Sequence, residues 1–529
     1  MSSLQPDRPL TRSTADQAGD AHKSRPAEGH SMSTIDTQRT EALSQASFAD
    51  SEDLEQFGYE PKLRRAIGPL ASFAVAFSMI SVSTGVFALF SGPFTTVGGW
   101  GIWLWFPVAA GLICICAVYA HVGARIPLTG YAYQWNSRLV GHNYGWFTGW
   151  ACWLAFVTGT AVVAVTISTV FAPEFWHAPT KANVVLLAGI VTAVALVLNL
   201  ISIRATAIVN NFGVSFELAG SLIAAAILFV GALFFFKHSQ GLSVLVQSGP
   251  VGGGQINLTA IGLAALLPVF VLLGWEGAAD LAEETKDPRR STPYAMLRAN
   301  WVSILTSIVM IVCFAIAIPH GIAAMINQPE NPLFYIFNIQ LGAAAVTALK
   351  VIVFVAMFSA LLANMAVGTR MTFSLARDGM LPGSRALAWV NPRTQTPMVA
   401  IVLVAAMSFA VNFLSTGIEN RVVSITAVCY YATYALTTVA ALWAHSRGRL
   451  PETYPGGFGL GRWLTPIAAV GVVFAIIIVI DETVPTANHI TAEYAAGALI
   501  LGLLWWLLYL RRRLMAGEVG IARPENRGS

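Results

Sequence analysis

Long apolar runs alternate with short polar ones between residues 67 and 510. The runs lie at roughly 67–93, 100–122, 144–172, 183–203, 206–236, 259–284, 294–318, 342–374, 397–416, 421–444, 463–481 and 491–510. A helix needs about 20 largely apolar residues to cross a bilayer, so the pattern predicts twelve transmembrane helices. Two runs are interrupted in the middle. The first carries Ser81-Val82-Ser83-Thr84-Gly85, and the sixth carries Gly274-Trp275-Glu276-Gly277. Small hydroxyls and glycines at mid-span let a helix unwind and turn backbone groups towards a ligand. They can equally form a smooth packing surface.

Composition agrees with the pattern. The chain of 529 residues is 56% hydrophobic and 11% charged, with a mean hydropathy of +0.64. Soluble domains carry nearer a quarter charged residues. The expected fold is therefore an all-α polytopic membrane protein with the lipid bilayer as its surroundings. The five cysteines all sit inside apolar runs without zinc or disulfide spacing, and read as small packing residues. Residues 1–60 are polar, with almost no aromatics before Phe48, and are expected to be a disordered tail. Residues 511–529 form a second tail.

The charges are placed one-sidedly. With the N-terminus inside, roughly twenty Lys and Arg fall in inner loops, and only Lys181, Lys237 and Arg421 in outer ones. Both termini are thus expected in the cytoplasm. Because five helices separate the two interrupted spans, 67–236 and 259–444 would be inverted five-helix repeats, with two extra helices over 463–510. Gly141, Gly145 and Gly149 give the third span a smooth face for close packing.

The restart of the first span, placed near Gly85, would aim free N–H groups at mid-membrane and suit a carboxylate. The first half of the sixth span, ending near Gly274, would offer carbonyls to a cation, with Glu276 beside them. A mid-membrane acid is a functional candidate whose natural partner is an ammonium; the alternative is a hydrogen bond to unwound backbone. Trp275 offers a cation–π face or plain packing. Glu217 is a second intramembrane acid that could take up a proton, help hold sodium, or hold a neighbouring backbone. Lys350 is expected to reach outward. Tyr430, Tyr431 and Tyr434 either line a cavity or pack. Glu283, Glu284, Asp287, Arg289 and Arg290, and likewise Arg370, Arg377 and Asp378, read as a solvated loop with helix-end pairing. There is no phosphate-binding loop, no metalloprotease motif and no nucleophile elbow, so neither an ATP-driven pump nor an enzyme is indicated. No cofactor, metal or nucleic-acid partner is implied.

Four stretches carry a resemblance: SMISVSTGVFALFSGP (78–93), RIPLTGYAYQW (125–135), GWEGAADLAEETKDPRRSTPYAM (274–296), and TRMTFSLARDGMLPGS with NPRTQTP (369–384, 391–397). The chain resembles the amino acid–polyamine–organocation superfamily, and within it the amino acid/choline branch that includes γ-aminobutyrate permeases. The resemblance implies alternating access and a substrate site between spans one and six, with contributions from three, eight and ten. It implies that Ser83, Thr84 and Gly85 supply backbone to a carboxylate, and that Trp275 and Glu276 face an amine. Many relatives carry Phe-Asp where this chain has Trp-Glu. Some proton-coupled relatives place a lysine in span five, where this chain has Glu217.

The expected function is a plasma-membrane secondary transporter that imports an amino acid or small amine such as γ-aminobutyrate by proton symport, with a proton or sodium gradient as the driving force. Ser81, Ser83, Thr84, Gly85, Gly274, Trp275, Glu276 and Gly277 form the expected substrate site. Choline or ethanolamine uptake, amine exchange and a non-transporting sensor are the alternatives. A sensor would bind without flux, and a channel would conduct without saturating.

Overall fold

The computed structural model describes residues 54–521 except 61, 62, 64, 202, 252, 254, 415–418, 455, 486 and 487, and leaves out the side chains of 203–205, 207, 414 and 419–421. The expected disorder of 1–53 and the tail beyond 521 lie outside the described residues.

The fold is all-α. Its principal helices are α1 (Pro69–Ile80), α2 (Val82–Leu89), α3 (Trp105–Gly123), α4 (Tyr131–Leu139), α5 (His142–Phe175), α6 (Lys181–Ile201), α7 (Ile203–Phe234), α8 (Leu258–Val271), α9 (Gly277–Asp280), α10 (Pro288–Ile316), α11 (Pro332–Leu341), α12 (Ala343–Arg377), α13 (Met398–Leu414), α14 (Glu419–Ser446), α15 (Leu464–Thr483) and α16 (His489–Trp505). Among the described residues, ten helices or joined helices are long and apolar enough to cross a membrane. The shorter α8 and α13 account for the other two expected spans.

Burial sorts the spans into a centre and a rim. The first span (α1 with α2), α5 and α14 are mostly enclosed, whereas α6, α15 and α16 keep most of their surface outward. The outward faces carry large apolar side chains such as Ile190, Val194, Val473, Ile477 and Leu508, the composition that hydrocarbon covers. The smooth face predicted on the third span is a packing face: a Cβ on Gly145 would strike Ser137, and one on Gly149 would come 2.8 Å from Tyr133 Cβ, both on α4.

Two of these principal helices, α4 and α11, lie outside the apolar runs. Both are too short to span. The α4 helix lies at the arginine-rich end of the molecule, buried along nearly its whole length. The α11 helix packs towards the opposite end, where Asn331 Nδ2 donates to the Phe87 carbonyl at 3.0 Å and Phe334 sits 5.3 Å from Phe87.

The tails are not wholly free. Leu54 and Tyr59 are buried, and Ile521 packs on the core, so 54–59 and 511–521 belong to the folded body. The expected boundary near 60 therefore moves back to at least Leu54. A short apolar turn, with Tyr59 N donating to the Leu54 carbonyl, is what anchors it.

Candidate functional site

The two interruptions meet in space. α1 ends at Ile80, and Ser81 takes a left-handed conformation with φ of 45°. The helix resumes at Val82, so the first break lies four residues before the expected Gly85. Serine is tolerated there because its Oγ accepts from the Thr84 N–H at 3.4 Å and contacts Thr84 Oγ1 at 2.5 Å, capping the new helix. Gly85 instead serves close approach. A Cβ there would collide with the Val271 side chain and come 3.1 Å from its Cα.

The second break runs from Leu272 to Glu276, between α8 and α9. Gly274 has φ of +105°, and a Cβ on it would lie 2.8 Å from the carbonyl carbon and oxygen of Met79. Glycine is required twice over at this position, by backbone conformation and by contact with the first break. Gly277 packs in the same way on the Met79 thioether.

Between the breaks lies a small cavity lined by Met79, Ile80, Ser81 and Thr84 on one side and by Phe270 and Leu273 on another. Gly159 of α5, Asn364 of α12, and Thr426 and Tyr430 of α14 close it. It offers about 20 Å³ to the centre of a water molecule, room for about one water and not for an amino acid. None of the lining side chains is charged. Asn364 donates Nδ2 back to the Ala360 carbonyl, which leaves Oδ1 facing the Gly159 surface at 3.2 Å from where a Cβ would be.

Each expected site residue has a definite place. Ser81 and Thr84 line the cavity. The Ser83 N–H, expected to be free for a ligand carboxylate, donates at 2.8 Å to Oε1 of Glu217. Of the three roles open to Glu217, holding neighbouring backbone is the one the geometry displays. Trp275 and Glu276 lie beside the cavity rather than on its wall. The Trp275 ring stacks on Tyr434 at 5.2 Å and meets Tyr119 edge-on at 5.1 Å. Glu276 is fully buried; Oε2 accepts from the Tyr434 hydroxyl at 2.7 Å, while Oε1 has no side-chain or backbone partner within hydrogen-bond geometry among the described residues.

The tyrosine cluster does both things foreseen for it. Tyr430 lines the cavity, Tyr431 donates to the Val269 carbonyl at 3.1 Å near the end of α8, and Tyr434 holds Glu276. Their i, i+1 and i+4 spacing around one break was the available signal. Lys350 reaches outward to an ion pair with Glu174 at 2.5 Å.

The charged helix ends are the main correction. Asp287 and Arg290 are exposed, but Glu283, Glu284, Arg289, Arg370 and Asp378 are buried and Arg377 nearly so, and the pairing is internal. Arg370 forms a two-pronged pair with Glu284 at 2.7 and 3.3 Å, both side chains 2% exposed. Arg377 does the same with Glu283 at 2.9 and 3.1 Å. The carboxylates also hold the start of α4. Gly130 N donates to Asp280 Oδ1 at 2.8 Å, and Thr129 N to Glu283 Oε1 at 3.1 Å, where the helix's positive end favours negative charge. Asp280 was not singled out from the sequence, although it lies one helical turn beyond Glu276. Among the described residues, no three His, Cys, Asp or Glu side chains converge as a metal site would require.

Comparison with known proteins follows the same lines. A family model described as amino acid permease matches residues 67–505. Amino-acid permease BAT1 of Arabidopsis thaliana is 25% identical over 87% of this chain and 94% of its own length. Its homologue in Oryza sativa is 25% identical over 87% of this chain and 93% of its own. Amino-acid permease 2 of Neurospora crassa is 24% identical over 87% of each. A polytopic bundle with two facing helix breaks, matched over nearly all of its spans, is a membrane transporter and not an enzyme; the chain belongs to the amino acid permease family.

Proposed function

We propose that the chain is a secondary transporter that imports a small amino acid or related amine across the plasma membrane by alternating access, with both termini in the cytoplasm. The observation that carries this reading is the meeting of the two breaks, Ser81 and Gly274, around one uncharged cavity. Unwound backbone at such a place offers carbonyls and N–H groups to the two ends of a zwitterion. The free Oε1 of Glu276 supplies an acceptor for an ammonium once Trp275 and Tyr434 shift.

The breaks fall at corresponding points of 67–236 and 259–444, which supports reading these as inverted repeats, with 463–510 as two added helices. A cavity this narrow supports reading the arrangement as a closed intermediate between outward and inward openings. The lining favours a substrate with an uncharged side chain: Asn364, Thr426 and Tyr430 offer hydrogen bonds and no countercharge. γ-Aminobutyrate fits a site with separate places for an amine and a carboxylate. Proton symport is the preferred coupling, with Glu217 and Glu276 as the buried acids available to it.

Labelled γ-aminobutyrate, neutral and charged α-amino acids, choline and ethanolamine, offered to proteoliposomes with and without an inward proton gradient, test the reading. Gradient-driven, saturable accumulation of a neutral amino acid or γ-aminobutyrate is expected. Uptake only into preloaded vesicles would mean exchange, choline alone would mean an organocation carrier, and saturable binding without flux would mean a sensor.

A further inference from the structure

We propose that the segments flanking the spans, 54–59 before the first and 511–521 after the last, clasp the arginine-rich end of the molecule shut through Asp378, and that this end opens only when the Tyr59 hydroxyl releases. Asp378 follows the last turn of α12. Its carboxylate receives the Tyr59 hydroxyl at 2.8 and 3.0 Å and Gln134 Nε2 of α4 at 3.1 Å. Its backbone carbonyl receives the Gly520 N–H at 2.9 Å. One residue is thus held by segments from before the first span and after the last.

The clasp reaches α4. The Tyr59 hydroxyl also lies 3.2 Å from Gln134 Oε1, and the Phe57 carbonyl accepts from Arg138 Nη2 at 3.2 Å, so 54–59 grips α4 at two points. Arg377 lies 3.7 Å over the Tyr59 ring while paired to Glu283, which itself caps α4 through Thr129. From α4, Tyr131 packs 5.7 Å from Tyr119, and Tyr119 backs Trp275 beside the cavity. A continuous line of contacts therefore runs from the terminal segment to the base of the candidate site.

The chemistry suits a releasable contact. The segment is a single short turn: Leu54 and the Tyr59 ring pack on the body, while the Tyr59 hydroxyl makes a charge-assisted hydrogen bond, and a short flanking turn detaches at lower cost than a packed span. The ion pairs behind it, Arg370–Glu284 and Arg377–Glu283, can remain intact when Tyr59 leaves.

The test is amide hydrogen exchange on the full-length protein in lipid nanodiscs, comparing wild type, Tyr59→Phe, Asp378→Asn and the double variant. Tyr59→Phe removes one hydroxyl and keeps the ring, so folding is preserved. Losing the charge-assisted bond should raise exchange about tenfold in 131–139 and 281–285, with α5 unchanged, and the double variant should add nothing further. A second variant ending at Gly517 removes the other arm and should loosen the same two stretches. Unchanged exchange in 131–139 would overturn the proposal, as would an equal rise throughout α5, which would mark Tyr59 as general packing. The proposal rests on the transport reading for its purpose only. If the exchange pattern holds while wild-type vesicles take up no substrate, the clasp stands and the transport reading fails.

Discussion

The backbone N–H of Ser83 donates to Oε1 of Glu217 across 2.8 Å, tying the restart of the first span to the fifth. The bond joins a residue beside the break to the one intramembrane acid that the first repeat contributes. It makes the break's geometry depend on an ionisable group, a direct route by which a proton could be coupled to the shape of the site.

Glu217→Gln keeps an oxygen acceptor for the Ser83 N–H and removes the proton site. If Glu217 couples protons, this variant loses pH-gradient-driven uptake and keeps exchange between preloaded and external substrate. Unchanged gradient dependence would refute that role. Glu217→Ala leaves the N–H buried without an acceptor and should lower stability by about 1–3 kcal/mol, read as a shift in thermal unfolding.

The contact between the breaks leaves no room for a methyl group. Gly274→Ala forces a Cβ to 2.8 Å from the Met79 carbonyl at a positive φ, and Gly85→Ala drives one into Val271. Both should abolish uptake. Gly159→Ala differs, because its nearest neighbour is the Asn364 Oδ1 at 3.2 Å. It should yield a folded carrier that discriminates against larger substrates, measured as a rise in their KM relative to the smallest one accepted.

Glu284→Gln leaves the Arg370 guanidinium buried without its countercharge. Breaking such a pair from one side costs about 3–5 kcal/mol, enough to remove most of the folded protein from the membrane fraction. Retention of wild-type thermal stability would show that another group takes over the charge.

Burial, and after it the Asp378 carboxylate, push the Tyr59 phenol up to about 12. The unfolded phenol titrates near 10. A raised folded value means that the folded state holds its proton more tightly, so the contribution of Tyr59 is complete below about pH 10 and is lost as pH rises towards 12. The wild-type minus Tyr59→Phe difference in tyrosinate absorbance should have its midpoint near 12; a midpoint near 10 would mean the hydroxyl is free.

Much of this architecture is legible in hydropathy, because bilayer thickness imposes a run length on every span. The two breaks are legible too, since small and polar residues stand out in apolar runs. Their register is not: Ser81 breaks the helix through a local hydroxyl cap, while the more obvious breaker, Gly85, is there to let Val271 approach. The buried charges escaped because pairing is a long-range fact. Arg370 meets Glu284 across 86 positions, Arg377 meets Glu283 across 94, and Tyr434 meets Glu276 across 158. Seen singly, each charge looks like an ordinary helix end. α4 escaped for a related reason: its polar residues are satisfied by partners far along the chain, Gln134 donating to Asp378 and Asn136 to Thr437 of α14.

The central claim is that the amine of the substrate is held at the second break by Glu276. Equilibrium binding of the transported substrate to purified wild type and Glu276→Gln, both checked for folding, tests it most directly. The glutamine keeps the shape and an acceptor for Tyr434 but removes the charge. A loss of affinity of about a hundredfold or more is expected from deleting a buried charge partner. Wild-type affinity in the folded variant would contradict the account.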